Sequence, residues 1–359
     1  MLDALVIGAG PSGSNISSLL ASSGLKVRFI DVKERIGIPN HCSGLVEKRV
    51  VDMVGEDLVL SRPSVADIIT PAGSFSLESE KMYVLDRVAL DRKLADIAVA
   101  SGAILTIRAT LLNFRVTDSY VRAQIKSAEG FETVDSRFII GADGPTSTVR
   151  RNLGISPPKL LRSVQFDIKG KSSKVKIVMD RSLTPDFFAW EIPSDGEIEV
   201  GASGAGSMET VIKMTKGVDI VRKRGGLIPI GPTVLGRDRC FLVGDAAGTN
   251  KATTGGGLYG ALISGLMLYR AIIGNGDVLQ NYRKLWFSSF GSEVLKSYRI
   301  RTIIDKFERN YRLWVPLIRS NIKGINRVGD VDYPSKAFLY MLGAMPLRFP
   351  LAFKDIVSA

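Results

Sequence analysis

The chain has 359 residues, 45% of them apolar, and a formal net charge of +12, which fits one large or two joined globular domains and excludes a disordered or fibrous protein. Its two cysteines, Cys42 and Cys240, and its single histidine, His41, exclude a metal–sulfur cluster or a His-rich metal centre held by this chain. No apolar run reaches the roughly 18 residues that a membrane-spanning helix needs, and Met1-Leu2-Asp3 leads into Ala4-Leu5-Val6-Ile7 with no basic leader, so the expected compartment is the cytoplasm.

Residues 2–32 read as a strand, a glycine turn, a helix over 12–23 that stops at Gly24, and a second strand over 26–32. The turn is Gly8-Ala9-Gly10-Pro11-Ser12-Gly13, a GxGxxG. Gly8 allows the tight turn, Gly10 lets a pyrophosphate approach the backbone, and Gly13 lets helix and strand pack closely; the helix start around Ser12 offers unpaired N–H groups to phosphate. Asp31 lies at the end of the second strand, where a carboxylate accepts ribose hydroxyls.

Further on, 68–85 suggests short strands turning at Pro71-Ala72-Gly73, and 86–101 a helix with Leu90, Leu94, Ile97 and Ala98 on one face. Short strands fill 102–143 and end at Phe138-Ile139-Ile140, just before Gly141-Ala142-Asp143-Gly144. The pattern over 163–201 is β-rich, with strands at 164–168, 175–179, 187–192 and 198–200, and reads as an inserted antiparallel sheet. A strand at 240–243 runs into Gly244-Asp245-Ala246-Ala247-Gly248, whose Asp245 can hold a ribityl hydroxyl. Thr253-Thr254-Gly255-Gly256-Gly257-Leu258 then opens a helix whose N-terminus favours negative charge on the N1–C2=O edge of a reduced flavin. A nicotinamide dehydrogenase has no use for these later turns; the set points to FAD.

The fold expected is α/β with α+β elements: a Rossmann-like FAD-binding domain (1–62, 86–155 and 236–275), an inserted β-rich substrate domain (63–85 and 156–235) and a basic helical C-terminal region (276–359). From Arg270 onward there are 15 Lys/Arg against 7 Asp/Glu, interleaved with Tyr298, Phe307, Tyr311, Trp314, Leu317, Ile318, Phe338, Phe349 and Phe353. That mixture suits peripheral contact with anionic headgroups on the inner face of the cell membrane, or equally a solvated basic cap; no nucleic-acid module is present in the pattern.

The order GxGxxG, Gly-Ala-Asp-Gly, Gly-Asp-Ala-Ala-Gly and Thr-Gly-Gly-Gly resembles the flavoprotein monooxygenase superfamily. Pro39-Asn40-His41-Cys42-Ser43-Gly44 and Phe188-Ala189-Trp190-Glu191-Ile192-Pro193 resemble motifs of its geranylgeranyl reductases, in particular the archaeal digeranylgeranylglycerophospholipid reductases. The resemblance spans roughly residues 1–300. It implies an FAD enzyme that saturates prenyl double bonds of lipids, with NAD(P)H or a reduced ferredoxin as electron donor. Ser14 and Asp31 would contact the ADP part, Ala109 the adenine and Arg87 the FAD, while Asp245, Gly257 and Leu258 would hold the ribityl chain and ring. Cys42, Ser43 and Gly44 would lie against the isoalloxazine, and Phe188, Trp190, Ile192 and Pro193 would line a hydrocarbon tunnel. The chain departs from the family where Phe188 replaces Tyr, Ile192 replaces Phe, and Asn250-Lys251 replaces Asn-Pro.

Each assignment has a plainer counterpart. Cys42 is a flavin-side thiol or a packed small residue; His41 is a proton donor or a structural hydrogen-bonder; the aromatic residues at 187–190 are tunnel or sheet core. Cys240 starts an apolar strand and reads as packing. The competing functions are a flavin monooxygenase or halogenase, quinone-linked electron transfer, and a non-catalytic prenyl-lipid-binding escort.

Overall fold

The computed structural model describes residues 1–307 and 310–344. Phe349 and Phe353, and the side chain of Phe307, lie outside the described residues. The chain divides into two units. One comprises Met1–Asn40, Asp86–Leu160 and Ile228–Leu295; the other comprises His41–Leu85, Leu161–Leu227 and the residues from Lys296 onward.

The first unit is built on a sheet with the spatial order Gly236–Arg237, Cys240–Leu242, Gly130–Gly141, Leu2–Ile7, Val27–Ile30 and Ile104–Thr106. From Cys240–Leu242 across to Ile104–Thr106 all neighbours are parallel. Ala4 to Ile7 and Phe138 to Ile140 are almost wholly buried, the pattern of strands covered on both faces. The register sets Ile7 beside both Ile30 and Gly141, and Gly141 beside Leu242. The segments that follow, starting at Gly8, Asp31, Ala142 and Val243, therefore leave the sheet at one edge, the carboxyl end where α/β sheets bind ligands. The strands Thr110–Val116 and Val121–Ser127 extend Gly130–Gly141 as an antiparallel meander.

Helices Pro11–Ser22, Arg87–Ala100 and Leu258–Ile273 match the expected positions within one or two residues. Asp86 caps the second of these, accepting from the Val88 and Ala89 N–H groups at 2.9 and 3.0 Å. Pro11–Ser22 and Leu258–Ile273 approach closely enough for Asn15 Nδ2 to donate to the Leu262 carbonyl at 3.0 Å.

The second unit holds a sheet with the order Ile220–Ile230, Lys159–Lys169, Glu197–Ser203, Ala189–Pro193, Lys174–Val178, Val65–Thr70 and Gly73–Glu78. Lys174–Val178 pairs in parallel with Val65–Thr70, so the inserted sheet is mixed rather than purely antiparallel. The hairpin at 65–78 reaches it from a distant stretch of chain, and nothing local dictates the direction in which it docks.

Residues 41–62, expected with the nucleotide-binding part, group with this unit. Leu45–Glu47 pairs with Met82–Leu85, and a side chain on Gly44 (φ +78°) would run into the Leu85 backbone. The C-terminal region is no separate body either. Tyr282 donates its hydroxyl to the Leu242 carbonyl at 2.9 Å in the first unit. In the second, Arg319 donates to the Ser74 carbonyl at 2.5 Å, and Arg49 pairs with Asp330 at 2.8 Å. Among the described residues no helix is long and apolar enough to cross a membrane.

Candidate functional site

Three glycine turns of the first unit meet at the carboxyl edge of its sheet. Gly8 has φ +104°, a conformation that L side chains avoid, and any Cβ there would strike the Ala142 carbonyl. A Cβ on Gly13 would strike the Gly8 carbonyl. Both positions are closed by packing. Gly10 differs: a Cβ there would meet nothing within 4 Å. It stands at the start of the Pro11–Ser22 helix, with no side chain capping the first N–H groups. An open, uncapped helix start of this kind takes phosphate. Asp31 stands beside it, accepting from the Ala9 N–H and the Lys33 N–H at 2.8 Å each. Those bonds aim the carboxylate across the turn and leave each oxygen a further lone pair for a hydroxyl.

The buried Ala109 is tied to the same place, its N–H donating to the Asp31 carbonyl at 2.9 Å. Ser14 behaves differently from its assigned role as an ADP contact. Its side chain is fully buried and donates to the Ala9 carbonyl at 3.1 Å, so it braces the turn from behind. Ser12 is nearly buried, and its Oγ fills the space that a Gly244 side chain would need.

Asp143 also serves the scaffold. It accepts from the Thr148 and Val149 N–H groups at 2.6 and 3.2 Å, while its Oδ1 is buried without a partner. Burial lifts its carboxyl above the ordinary range, with Ser147 and those two N–H groups pulling the other way. Arg150, assigned no role from sequence, is the residue that ties two turns together. Its guanidinium is buried and donates to the Pro145 carbonyl at 2.5 Å and the Ala246 carbonyl at 2.9 Å. It follows Gly-Ala-Asp-Gly so closely that its place in the motif was visible, but its reach across 96 residues was not.

Asp245 sits in the third turn. Burial pushes its carboxyl up to about 6, and the nearby Arg87 charge opposes that rise. Arg87 itself is held by Asp91 at 2.8 Å. Gly257 brings its backbone beside Asp245 Oδ1, which would lie 3.1 Å from a Cβ at that position. Gly256 is crowded in the same way by the Lys251 side chain, whose Nζ would lie 3.1 Å away. Lys251 is only 3% exposed. Its carbonyl accepts from the Gly255 and Thr254 N–H groups, and its N–H donates to the Gly256 carbonyl. Leu258 then begins its helix with no side-chain cap. An open turn at Gly10, the Asp31 carboxylate beside it and two uncapped helix starts fit the diphosphate, ribose and ring of FAD.

The remaining assigned residues belong to the second unit. His41 is exposed, and Cys42 and Ser43 are half-buried. The Cys42 sulfur accepts from the Gly44 N–H at 3.5 Å and the Ser43 hydroxyl from the Leu45 N–H at 3.3 Å, which makes a tight turn of this segment. Trp190 and Ile192 pack with Val84 and Val175 on one face of the sheet, against the half-buried Phe188. The Trp190 indole occupies the space a Gly201 side chain would need and donates to Glu199 Oε1 at 2.8 Å. Glu199 in turn shares Arg224 with Asp167, all three largely buried. This network had no sequence signature: the alternating charges of its strands look like those of a solvated face.

Comparison with known proteins agrees with this reading of the first unit. Residues 1–194, more than half of the chain, match the family described as FAD binding domain. A digeranylgeranylglycerophospholipid reductase of Methanococcoides burtonii is 28% identical over 83% of this chain and 83% of its own. An uncharacterized protein of Methanocaldococcus jannaschii is 26% identical over 96% of both. Among solved structures, a geranylgeranyl bacteriochlorophyll reductase-like protein of Thermoplasma acidophilum superposes with a TM-score of 0.80 at 19% identity, covering 99% of each chain. The flavin-dependent brominase Bmp2 superposes at 0.70 with 15% identity over 89% of this chain and 92% of its own, which shows how widely the fold is shared. With a glycine cradle of this geometry and a match over residues 1–194, the chain belongs to the FAD-binding domain family of flavoproteins.

Proposed function

We propose that this FAD protein is a reductase that saturates carbon–carbon double bonds in the geranylgeranyl chains of membrane lipids. The observation that carries the flavin chemistry is the open Gly10 turn beside Asp31, in the same unit as Asp245. The digeranylgeranylglycerophospholipid reductases that align with more than four-fifths of the chain support the substrate class.

Saturating an isolated trisubstituted alkene requires a hydride at one carbon and a proton at the other, because no neighbouring carbonyl activates the bond. Bound FAD, once reduced, supplies the hydride and its electron pair. The chain's own part is to hold the cofactor, keep water from the alkene and provide the proton. Gly8, Gly10, Ser12 and Gly13 form the diphosphate turn, Asp31 takes ribose hydroxyls, and Asp245 with Gly256, Gly257 and Leu258 takes the ribityl and pyrimidine end. Cys42, Ser43 and Gly44 are assigned to the ring face, and His41 or Cys42 to proton delivery. Phe188, Trp190, Ile192 and Pro193 are assigned to the hydrocarbon. Trp190, with its single polar atom satisfied by Glu199, can present only apolar surface to a prenyl chain. Electrons arrive from NAD(P)H or reduced ferredoxin, and the lipid substrate brings the enzyme to the membrane surface.

The test is anaerobic. Protein loaded with FAD and reduced with dithionite is mixed with geranylgeranyl phospholipid, and the lipid is weighed by mass spectrometry. Successive gains of H2, one per double bond, are the expected result. Unchanged lipid, or product that forms only with oxygen and carries an added oxygen or halogen, overturns the proposal in favour of a monooxygenase or halogenase. His41→Gln and Cys42→Ala then tell the proton donor apart: the variant that loses saturation but keeps its flavin spectrum marks it.

A further inference from the structure

We infer that the surface formed by the Ser207–Met214 helix and the outer end of the Ile220–Ile230 strand is the face by which this protein docks on an anionic lipid bilayer. The inference rests on the lipid-reductase reading, and it assigns membrane contact to a place other than the C-terminal region.

Five apolar side chains are exposed close together here. Met208 (47%), Ile212 (54%), Val218 (41%), Ile220 (38%) and Val221 (43%) are all exposed within 14 residues of chain. Scattered apolar residues on a surface need no explanation, whereas a contiguous group marks an interaction site. The helix is held from its other side: Val211 packs into the core with Phe166, Ala189 and Ala202, and Thr210 donates to the Leu183 carbonyl at 2.8 Å. Met208 and Ile212, one turn apart, are thereby turned outward. Between helix and sheet runs an apolar groove of about 680 Å³, floored by Val164 and Phe166, with Lys216 and Lys223 on its margin. The strand is the edge of its sheet, and all of residues 216–223 are exposed.

Charge decides which occupant fits. Residues 207–224 carry five Lys/Arg against two Asp/Glu. Arg224 is spent on Asp167 and Glu199 and Arg222 reaches Asp167 at 3.5 Å, while Lys213, Lys216 and Lys223 are exposed on the same stretch, Lys223 with its ammonium 5.1 Å from the Phe166 ring centre. Protein interfaces favour Tyr, Trp and Arg at their centres and are poor in Lys. This face has no exposed aromatic residue and a lysine margin. Aliphatic side chains entering the headgroup boundary, with ammonium groups on lipid phosphates, give it that composition.

Among the described C-terminal residues the exposed apolar side chains Tyr298, Leu313 and Leu339 are spread over 42 residues of chain rather than grouped. Tyr311 is buried against Trp314, and Arg301, Arg319 and Lys336 turn toward Asp186, Ser74 and Asp330 of their own unit.

The test uses FAD-loaded full-length protein and sedimentation with vesicles of phosphatidylglycerol or of phosphatidylcholine. Wild type should sediment with the anionic vesicles only. The K216E/K223E double variant should weaken that partition by about thirtyfold, M208S/I212S should weaken it comparably, and K323E/R327E on the C-terminal helices should leave it nearly unchanged. All these positions are exposed, so melting temperature and flavin content should hold. The inference is overturned if wild type ignores anionic vesicles, if the face variants bind as wild type does, or if only K323E/R327E releases the protein. It is equally overturned if M208S/I212S converts a dimer to a monomer in sedimentation analysis with vesicle binding intact. Saturation of detergent-dispersed lipid reads the reductase chemistry separately, so loss of docking with turnover retained, or the reverse, shows which reading has failed.

Discussion

The two units solve the problem of burying polar groups in opposite ways. In the first, the polar work is done by backbone. Gly8, Gly13, Gly244 and Gly257 let segments of the chain pack closely, Gly10 leaves its turn open, and Asp31 and one oxygen of Asp143 accept from N–H groups of their own turns. In the second, it is done by side chains from separate strands: Asp167, Glu199, Arg224 and Trp190 satisfy one another inside a sheet. A backbone site tolerates changes to its neighbours but not to its glycines. A charge network tolerates no single removal, because each loss strands a buried partner. The two units should therefore fail differently, and that difference can be measured.

The largest effect should come from Arg224→Leu. It leaves Glu199, already lifted by burial with the Arg224 charge opposing, without its cation. A loss of about 3 to 5 kcal/mol is expected, read as a lower denaturant midpoint, while the protein that stays folded keeps its flavin. Neutralising the carboxylates as well, with D167N and E199Q, should recover much of the loss. If the triple variant is no better than the single one, the network is not what holds this sheet. Gly8→Val attacks the other unit. At φ +104° and against the Ala142 carbonyl it should cost about 3 kcal/mol, and the purified protein should be colourless. Retention of flavin there would show that the turn is not the diphosphate cradle.

This contrast also explains what could be read from the sequence. The glycine turns were legible because each is a local device: strand, turn and helix start lie within a dozen residues, and Asp31 follows one strand later. The Arg87–Ala100 and Leu258–Ile273 helices were legible for the same reason, although the cap that Asp86 makes was not read. What escaped was non-local. Nothing near residues 174–178 says that they pair in parallel with 65–70, and nothing near residues 41–62 says that they join the second unit through Met82–Leu85. Arg150 was in view as part of a pattern, yet its bond to Ala246 depends on two strands becoming neighbours. Ser14 shows the converse: its place in the motif was visible, while the inward turn of its hydroxyl onto the Ala9 carbonyl was not.

A smaller effect tests the second unit's other charged cluster, where Glu47, Arg49, Asp330, Asp332 and Lys336 gather. Burial, then the hydrogen bond and charge of Asp330, pushes the Glu47 carboxyl up to about 7, with Arg49 opposing. Asp330 is shifted the other way: burial works against ionisation, but Glu47, Lys336 and Arg49 hold it well below its usual range. Glu47 therefore keeps the proton that joins the pair. Because its folded pKa lies above the ordinary 4.5, the stability it contributes is full below that value and is lost as pH rises through 7. The chain should lose on the order of 1 to 2 kcal/mol between pH 5 and pH 8 from this group. Glu47→Gln, which keeps a donor for Asp330, should flatten the profile. An unchanged slope would mean that another group titrates.

The smallest effect returns to the first unit, at a buried lysine in the turn that opens the Leu258–Ile273 helix. Lys251 stands where the related motif has proline, nearly buried, with its ammonium against Gly256 at the start of the Leu258–Ile273 helix. The proposed seat of the flavin pyrimidine is that same turn. A reduced flavin is more negative than an oxidised one, so a fixed cation there favours reduction in addition to the helix start. Lys251→Met should lower the two-electron midpoint potential by roughly 30 mV, with flavin affinity little changed, and Lys251→Arg should stay close to wild type. Spectroelectrochemical titration of the three proteins reads this without any substrate. Equal potentials would mean that the lysine only shapes the loop through its backbone bonds to Thr254, Gly255 and Gly256, and that its charge plays no part in tuning the flavin.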